Sequence, residues 1–338
     1  MNWQVSSALV TGGASFIGSH LVDALVGRNA RVRVVDDLSS GCLDAIQGHV
    51  DAGRVEFTQG DLRDAGVAER AVDGMDVVFH LAADHGGRGY LESHQAGCAT
   101  NLVLDGVVFR ACRDAGVGKV VFASSGCVYP NHLQTDPGEC RYLSEHMVGP
   151  PYDADNMYGW AKLMGEMTLR AYHAEDGLKA ACCRYFTAYG PRGHESHAII
   201  AMIARAFVKQ DPFIVWGTGE QIRNWTHVTD IVEGTILAAE KIDDGSAVNL
   251  GTMERTRVID AARAVLQITG HDARIEVRPG MPTGPLNRVA DNALARRLIG
   301  WEPRVTFLAG LRETIDWYFA SKDRQAVESS LAGRLAER

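Results

Sequence analysis

Tyr158 and Lys162, four positions apart, carry the clearest chemical signal in this 338-residue chain. On a helix that spacing puts both side chains on one face, one turn apart. An ammonium beside a phenol lowers the phenol's pKa, so the tyrosine can take a hydroxyl proton while hydride leaves the carbon. Such a step needs a hydride acceptor, and the start of the chain has a place for one. Thr11-Gly12-Gly13-Ala14-Ser15-Phe16-Ile17-Gly18 lies between an apolar strand pattern and a helical one. Glycines there allow a tight turn, and the free N–H groups of the helix N-terminus suit a pyrophosphate. The second strand ends in Asp36-Asp37. A carboxylate at that place accepts hydrogen bonds from an adenosine ribose and repels a 2′-phosphate, which favours NAD over NADP. Asp61-Leu62, just after the third strand, is the expected adenine contact.

The elements that must position these groups are legible as alternation. Ala8–Val10, Arg31–Val35, Val55–Thr58, Val77–Leu81, Val120–Ala123 and Ala180–Tyr185 read as strands, with helical spacing at Ile17–Arg28, Asn101–Ala115 and Met157–Glu175. Repeated strand–helix units predict a parallel sheet with helices on both faces. After Gly190 the pattern loosens into helices at 198–210, 230–241, 256–268, 293–299 and 308–321 and strands near 214–216 and 247–250. We expect a cofactor domain over 1–189, with elements near 226–260 returning to it. A mainly substrate-binding domain is expected over 190–322 and a polar tail over 323–338.

Composition excludes several other functions. With 34 Lys and Arg against 42 Asp and Glu, the net charge is −8, so neither nucleic acid nor a membrane surface is an expected partner. Any anionic ligand needs a local cluster of cations. No apolar run approaches a membrane span, and the first ten residues lack a secretory pattern, which makes the cytoplasm the expected location. Seven cysteines are too few and too scattered for a disulfide framework, and with twelve histidines they form no H-E-x-x-H or C-x-x-C pattern, so no metal is expected.

The glycine turn, His80-Leu81-Ala82-Ala83, Ser124-Ser125 and Tyr158-x-x-x-Lys162 resemble the extended short-chain dehydrogenase/reductase family, and within it the nucleotide-sugar epimerases and dehydratases. Ser15 departs from the pattern, standing where the family has its middle glycine. The resemblance implies a Rossmann-type α/β doubly wound sheet with a smaller, interleaved C-terminal substrate domain. It implies NAD held by Gly12, Gly13, Ser15, Phe16, Ile17, Gly18, Asp36, Asp61, Leu62, Leu81, Ala82, Ala83, Asn101, Tyr158 and Lys162. Tyr158 is then the general base, Lys162 its electrostatic partner and ribose ligand, and Ser125 a hydroxyl bonded to the sugar oxygen. A homodimer built on the 101–115 and 157–175 helices is implied as well.

Reaction type turns on Ser125-Gly126-Cys127-Val128-Tyr129-Pro130, which lacks the carboxylates of the dehydratases and decarboxylases. The stretch resembles the GDP-mannose 3,5-epimerases and GDP-L-fucose synthases, in which the matching cysteine is an acid/base. Their second acid/base maps onto His197, and their sugar-covering Gly-Gly loop onto Gly86, Gly87 and Arg88. The pairing makes chemical sense: a ketone at C4 acidifies the protons on C3 and C5, and inversion needs one group on each face. Asp36 argues against the synthases' NADPH, so a redox-neutral epimerase acting on a GDP-mannose-like nucleotide-diphosphate sugar is expected. Thr187 resembles the uronate 4-epimerases and keeps open a UDP-sugar 4-epimerase that uses Ser125, Tyr158 and Lys162 alone. Arg223 and Arg288 are the expected diphosphate clamp, with Arg192 and His194 as secondary candidates. A non-catalytic NAD-binding protein on the same scaffold is the other alternative, and one with no need of the proton-transfer set.

Overall fold

The computed structural model describes residues 1–334. Seven strands form one parallel sheet: β1 (Ser7–Thr11), β2 (Arg31–Asp36), β3 (Val55–Gln59), β4 (Val77–His80), β5 (Lys119–Ser125), β6 (Ala180–Tyr185) and β7 (Asp244–Leu250). Their order is β7-β6-β5-β4-β1-β2-β3. The chain therefore reverses direction across the sheet between β1 and β4, and a crevice opens beyond their C-terminal ends, where ligands of such sheets bind. Register places Thr11 beside His80 and Ser125 beside Tyr185, so the groups following each strand converge on that edge.

The central strands β1, β4 and β5 are almost wholly buried because both faces are covered, whereas the edge strand β3 is largely exposed. Ala8 and Val10 face a core with helices α1 (Phe16–Gly27) and α6 (Val228–Lys241), whereas Leu9 faces the opposite core under α2 (Ala65–Val72), α3 (Asn101–Asp114) and α4 (Asn156–Asp176). Asp64 caps α2 by accepting the Val67 N–H, and α4 ends at Gly177 in the left-handed conformation.

A further core joins α5 (Ala198–Phe207), the strand Phe213–Trp216, Trp225, α7 (Val258–Thr269) and α8 (Phe307–Ser321). Helix α5 reads Ala-Ile-Ile-Ala-Met-Ile-Ala-Arg-Ala-Phe and is buried on almost every side, as expected of a helix apolar all round. The expected polar tail is corrected over most of its length. Arg324–Arg334 form a helix, α9, whose Val327 and Leu331 are buried in this core. Two apolar residues four apart, amid charge, gave too weak a pattern to announce it. Residues 335–338 of that expected tail lie outside the described residues. No helix among the described residues is long and apolar enough to cross a membrane.

Leu331→Ala should cost about 2–5 kcal/mol of unfolding free energy, the usual range for a buried leucine. Urea denaturation measures it, and an unchanged midpoint would show that α9 is not docked in solution.

Candidate active site

A cleft of about 980 Å³ runs from the β1–β2 edge of the sheet across to α5 and α8. At one end, the Gly12–Gly18 turn fits a dinucleotide for steric reasons. Gly12 has φ +69° and touches the backbone of Ala82, and a Cβ at Gly18 would lie 2.1 Å from the Gly12 carbonyl oxygen. Helix α1 therefore starts directly against the turn. The Ser15 hydroxyl donates back to the Gly12 carbonyl at 2.6 Å, so the departure from glycine is absorbed within the turn. Asp36 accepts from the N–H groups of Ala14 and Leu38, at 3.0 and 2.8 Å, and burial lifts its pKa above the ordinary carboxylate value. Asp61, paired with Arg63, and Leu62 line the same end.

Beyond it, Thr11 Oγ1 accepts the N–H groups of Leu81 and Ala82 at 3.0 and 3.1 Å. Its own proton is then directed to His80 Nδ1, 2.8 Å away, and His80 Nε2–H to Asp105, 3.0 Å away. The chain fixes the Leu81–Ala83 segment at the crevice floor. Asn101 is a correction: fully buried and not among the cleft-lining residues, it clamps Asp84 through both its N–H and its carbonyl. Its role in the structure is to shape the loop.

At the middle of the cleft, the Ser125 hydroxyl accepts the Cys127 N–H at 3.1 Å and is hydrogen-bonded to the Tyr158 phenol. Lys162 lies behind them, with Nζ 4.5 Å from the Phe122 ring centroid and 5.7 Å from that of Tyr158. The expectation that Lys162 lowers the phenol's pKa needs correcting for the protein alone. Burial above all pushes Tyr158 well above its ordinary value, with Cys127 and Asp105 adding to it, and burial pulls Lys162 down. Lys162 Nζ is buried without a hydrogen-bond partner among the described residues. An orphaned ammonium beside Ser125 and Tyr158, with the glycine turn and Asp36 along the same cleft, is what a ribose hydroxyl and a cofactor ring would complete. The residues present fit NAD.

Cys127 and Arg288 meet directly, Nη1 donating to Sγ at 3.1 Å. Arg288 also donates to Gln134 and Asp155, at 2.7 and 2.9 Å, so each of its three nitrogens makes a hydrogen bond. The sequence assigned Arg288 to a phosphate; the structure puts it on the cysteine. Asp155 receives Arg88 as well, at 2.7 Å, and although burial would raise its pKa, the two guanidinium groups outweigh it and hold the carboxyl below its usual value. Among the described residues Arg223 donates to the carbonyls of Ile222 and Thr283, and burial followed by repulsion from Arg288 and Arg88 pushes it down to about 9. Thr187 lines the cleft at φ +27°, a strained conformation for a β-branched residue. His197 lies across the cleft near Phe16, their ring centroids 6.4 Å apart. Gly86, Gly87 and Arg88 line the cleft too, and a Cβ at Gly87 would meet the Ser196 carbonyl at 2.1 Å, so the Gly-Gly loop and the His197 segment touch. Of the secondary candidates, Arg192 is paired with Asp23, and His194 Nδ1 accepts from Ser196.

Gly159 and Arg205 are among the site residues that escaped the sequence reading. Gly159, after the tyrosine, has its Cβ position 2.3 Å from the Cys127 carbonyl oxygen. Arg205 lines the far end of the cleft with its Nε buried and without a partner among the described residues; burial pushes it down to about 10. A lone arginine in an otherwise apolar helix was the available signal.

Residues 8–251 match the family described as NAD dependent epimerase/dehydratase. GDP-mannose 3,5-epimerase 1 of Oryza sativa subsp. japonica is 31% identical over 313 residues, covering 91% of this chain and 80% of the rice protein. UDP-glucose 4-epimerase of Thermotoga maritima, solved with UDP-glucose, superposes with a TM-score of 0.83 at 29% identity, covering 93% of this chain and 99% of the other. The Thermus thermophilus UDP-glucose 4-epimerase, solved with NAD, gives 0.82 at 28% identity, with 94% and 100% covered.

Arg205→Leu should weaken binding of GDP or UDP about tenfold or more while raising the thermal midpoint, because it removes a buried charge that no carboxylate neutralises. Calorimetric titration and thermal melting read the two effects; unchanged affinity would sever Arg205 from the nucleotide.

Proposed function

The chain belongs to the NAD dependent epimerase/dehydratase family, and on that premise we propose that it is a redox-neutral nucleotide-sugar epimerase that inverts C3, C5 or both of a GDP-mannose-like substrate. NAD bound along the Gly12–Lys162 edge supplies a hydride acceptor and, later in the same turnover, a hydride donor. Tyr158 takes the C4 hydroxyl proton, with Ser125 holding the oxygen and Lys162 giving the orphaned positive charge. The C4 ketone acidifies the neighbouring C–H bonds. His197 removes a proton from one face, and Cys127, its sulfur held by Arg288, delivers one to the other.

The observation that carries this reading is the Arg288–Cys127 contact. A guanidinium held by Gln134 and Asp155 and aimed at a cleft-lining sulfur has no use in a 4-epimerase, which needs no second acid/base. Arg223 and Arg205 are the diphosphate ligands left over once Arg288 and Arg88 are engaged with Asp155. The exposed apolar side chains of Leu102 and Val103 on α3 and of Trp160 and Met164 on α4 support a homodimer through those helices. Seven unpaired thiols fit a reducing cytoplasm.

Incubation with GDP- and UDP-sugars in deuterated water, followed by NMR, tests the reaction. Deuterium at an inverted C3 or C5 is expected; inversion at C4 without deuterium would replace this reading with the UDP-sugar 4-epimerase. Cys127→Ala should slow exchange about 100-fold or more while cofactor reduction persists. Trp160→Glu should shift the species seen by sedimentation from dimer to monomer, and an unchanged sedimentation coefficient would count against the interface.

A further inference from the structure

The cleft holds an imidazole that none of these assignments uses. His85 lies in the Asp84–Gly89 loop with its ring centroid 5.0 Å from that of Tyr158 and 5.5 Å from that of His197, the latter pair edge to face at 71°. Both histidines line the cleft. The loop cannot swing His85 away: Asn101 holds Asp84 at two points, the Tyr90 hydroxyl donates to Asp84, and Gly87 abuts Ser196. Among the described residues, no three His, Cys, Asp or Glu side chains are grouped as a metal site requires, so this is not a metal centre.

A base that takes a proton from carbon must hold the resulting charge. His197 is poorly placed to do so alone. Burial, then His85 and His194, pushes it down to about 3, and no carboxylate is among its influences. His194 has its Nδ1 taken by the Ser196 N–H. The groups facing the two rings are Tyr158 and Lys162 from α4 and His194 beside His197. Burial and then the Lys162 charge push His85 down to about 4, close to the value at His197, so neither ring takes a shared proton outright.

We propose that His85 and His197 hold one proton between them: His85 accepts a hydrogen bond from protonated His197 and is the positioning residue that lets His197 serve as the second acid/base. The inference rests on the assignment of His197 under the proposed function. In the forward step the C–H bond breaks, its electron pair remains as the enolate, and an N–H bond forms on His197. The S–H bond of Cys127 then breaks as the new C–H bond forms on the opposite face. The imidazole pair is left one proton richer and the sulfur one poorer, and exchange with water restores both.

The test compares wild type, His85→Phe and His85→Gln in deuterated water, reading deuterium incorporation at C3 or C5 against pH and, separately, the rate of cofactor reduction. The phenylalanine keeps a ring against Tyr158 without an acceptor; the glutamine restores an acceptor. For His85→Phe, exchange should fall about 100-fold at neutral pH while cofactor reduction stays within about threefold. Its acid limb should move to lower pH, because a protonated His197 without an acceptor is less stable. His85→Gln should recover about a tenth or more of the lost exchange. Wild-type exchange with an unmoved acid limb in His85→Phe overturns the proposal. If the phenylalanine variant fails to fold, His85→Leu, which also lacks an acceptor, takes its place: exchange lowered about 100-fold with normal cofactor reduction supports the proposal, and exchange at the wild-type rate overturns it. Absence of C3 and C5 deuterium in the wild type itself would instead defeat the epimerase reading, and this inference with it.

Discussion

Helix α4 lies against β5 at a distance that only glycine permits, and the arrangement of the cleft depends on that contact. A Cβ at Gly159 would enter the Cys127 carbonyl, and one at Gly165 would come within 2.6 Å of the Phe122 ring. The approach is locked from below by Glu166, which is wholly buried on α4 and receives Arg184 twice, at 2.9 and 2.8 Å, and Ser124 at 2.5 Å. Burial works against the charged carboxylate, yet Arg184 outweighs it and keeps Glu166 ionised. Breaking such a buried pair by removing one partner leaves a costly unmatched charge, so the pair specifies one helix position more than it adds stability. That position sets Tyr158 at Ser125 and stands Lys162 behind both.

A second consequence is the sorting of positive charge. The chain is acidic, yet its cleft gathers Arg88, Arg205, Arg223, Arg288 and Lys162. One carboxylate, Asp155, engages two of these cations and turns Arg288 toward the sulfur. Arg205, Arg223 and Lys162 make no ion pair among the described residues, although Asp105 acts on Lys162 and Asp155 on Arg223, and this concentrates the attraction for an anionic ligand along one wall. The same residue thus separates the arginines it pairs, Arg88 and Arg288, from Arg205 and Arg223.

What the sequence made legible was local. The glycine turn, Asp36 and the Tyr158–Lys162 spacing each lie within one strand–turn–helix unit or one helical turn, where physical meaning follows from offset alone. The parallel sheet and its two covered faces followed from alternation, whereas the strand order did not. Contacts between distant segments were not legible: Gln134 and Asp155 reach Arg288 across more than a hundred positions, and nothing near Arg288 in sequence distinguishes a sulfur partner from a phosphate. Asn101 looked like a cofactor ligand because its position matched, yet its three hydrogen bonds are spent on Asp84 and Cys98. The phenol's pKa was misjudged because spacing shows proximity and not desolvation.

The unmatched cations also tie folding to supply. A buried guanidinium or ammonium without a counter-charge weakens the native state, and an anion that settles against it returns that free energy. A ligand at a hundred times its dissociation constant adds ~2.7 kcal/mol to apparent stability. An anion bound beside Arg205 would therefore lengthen the lifetime of this chain against proteolysis.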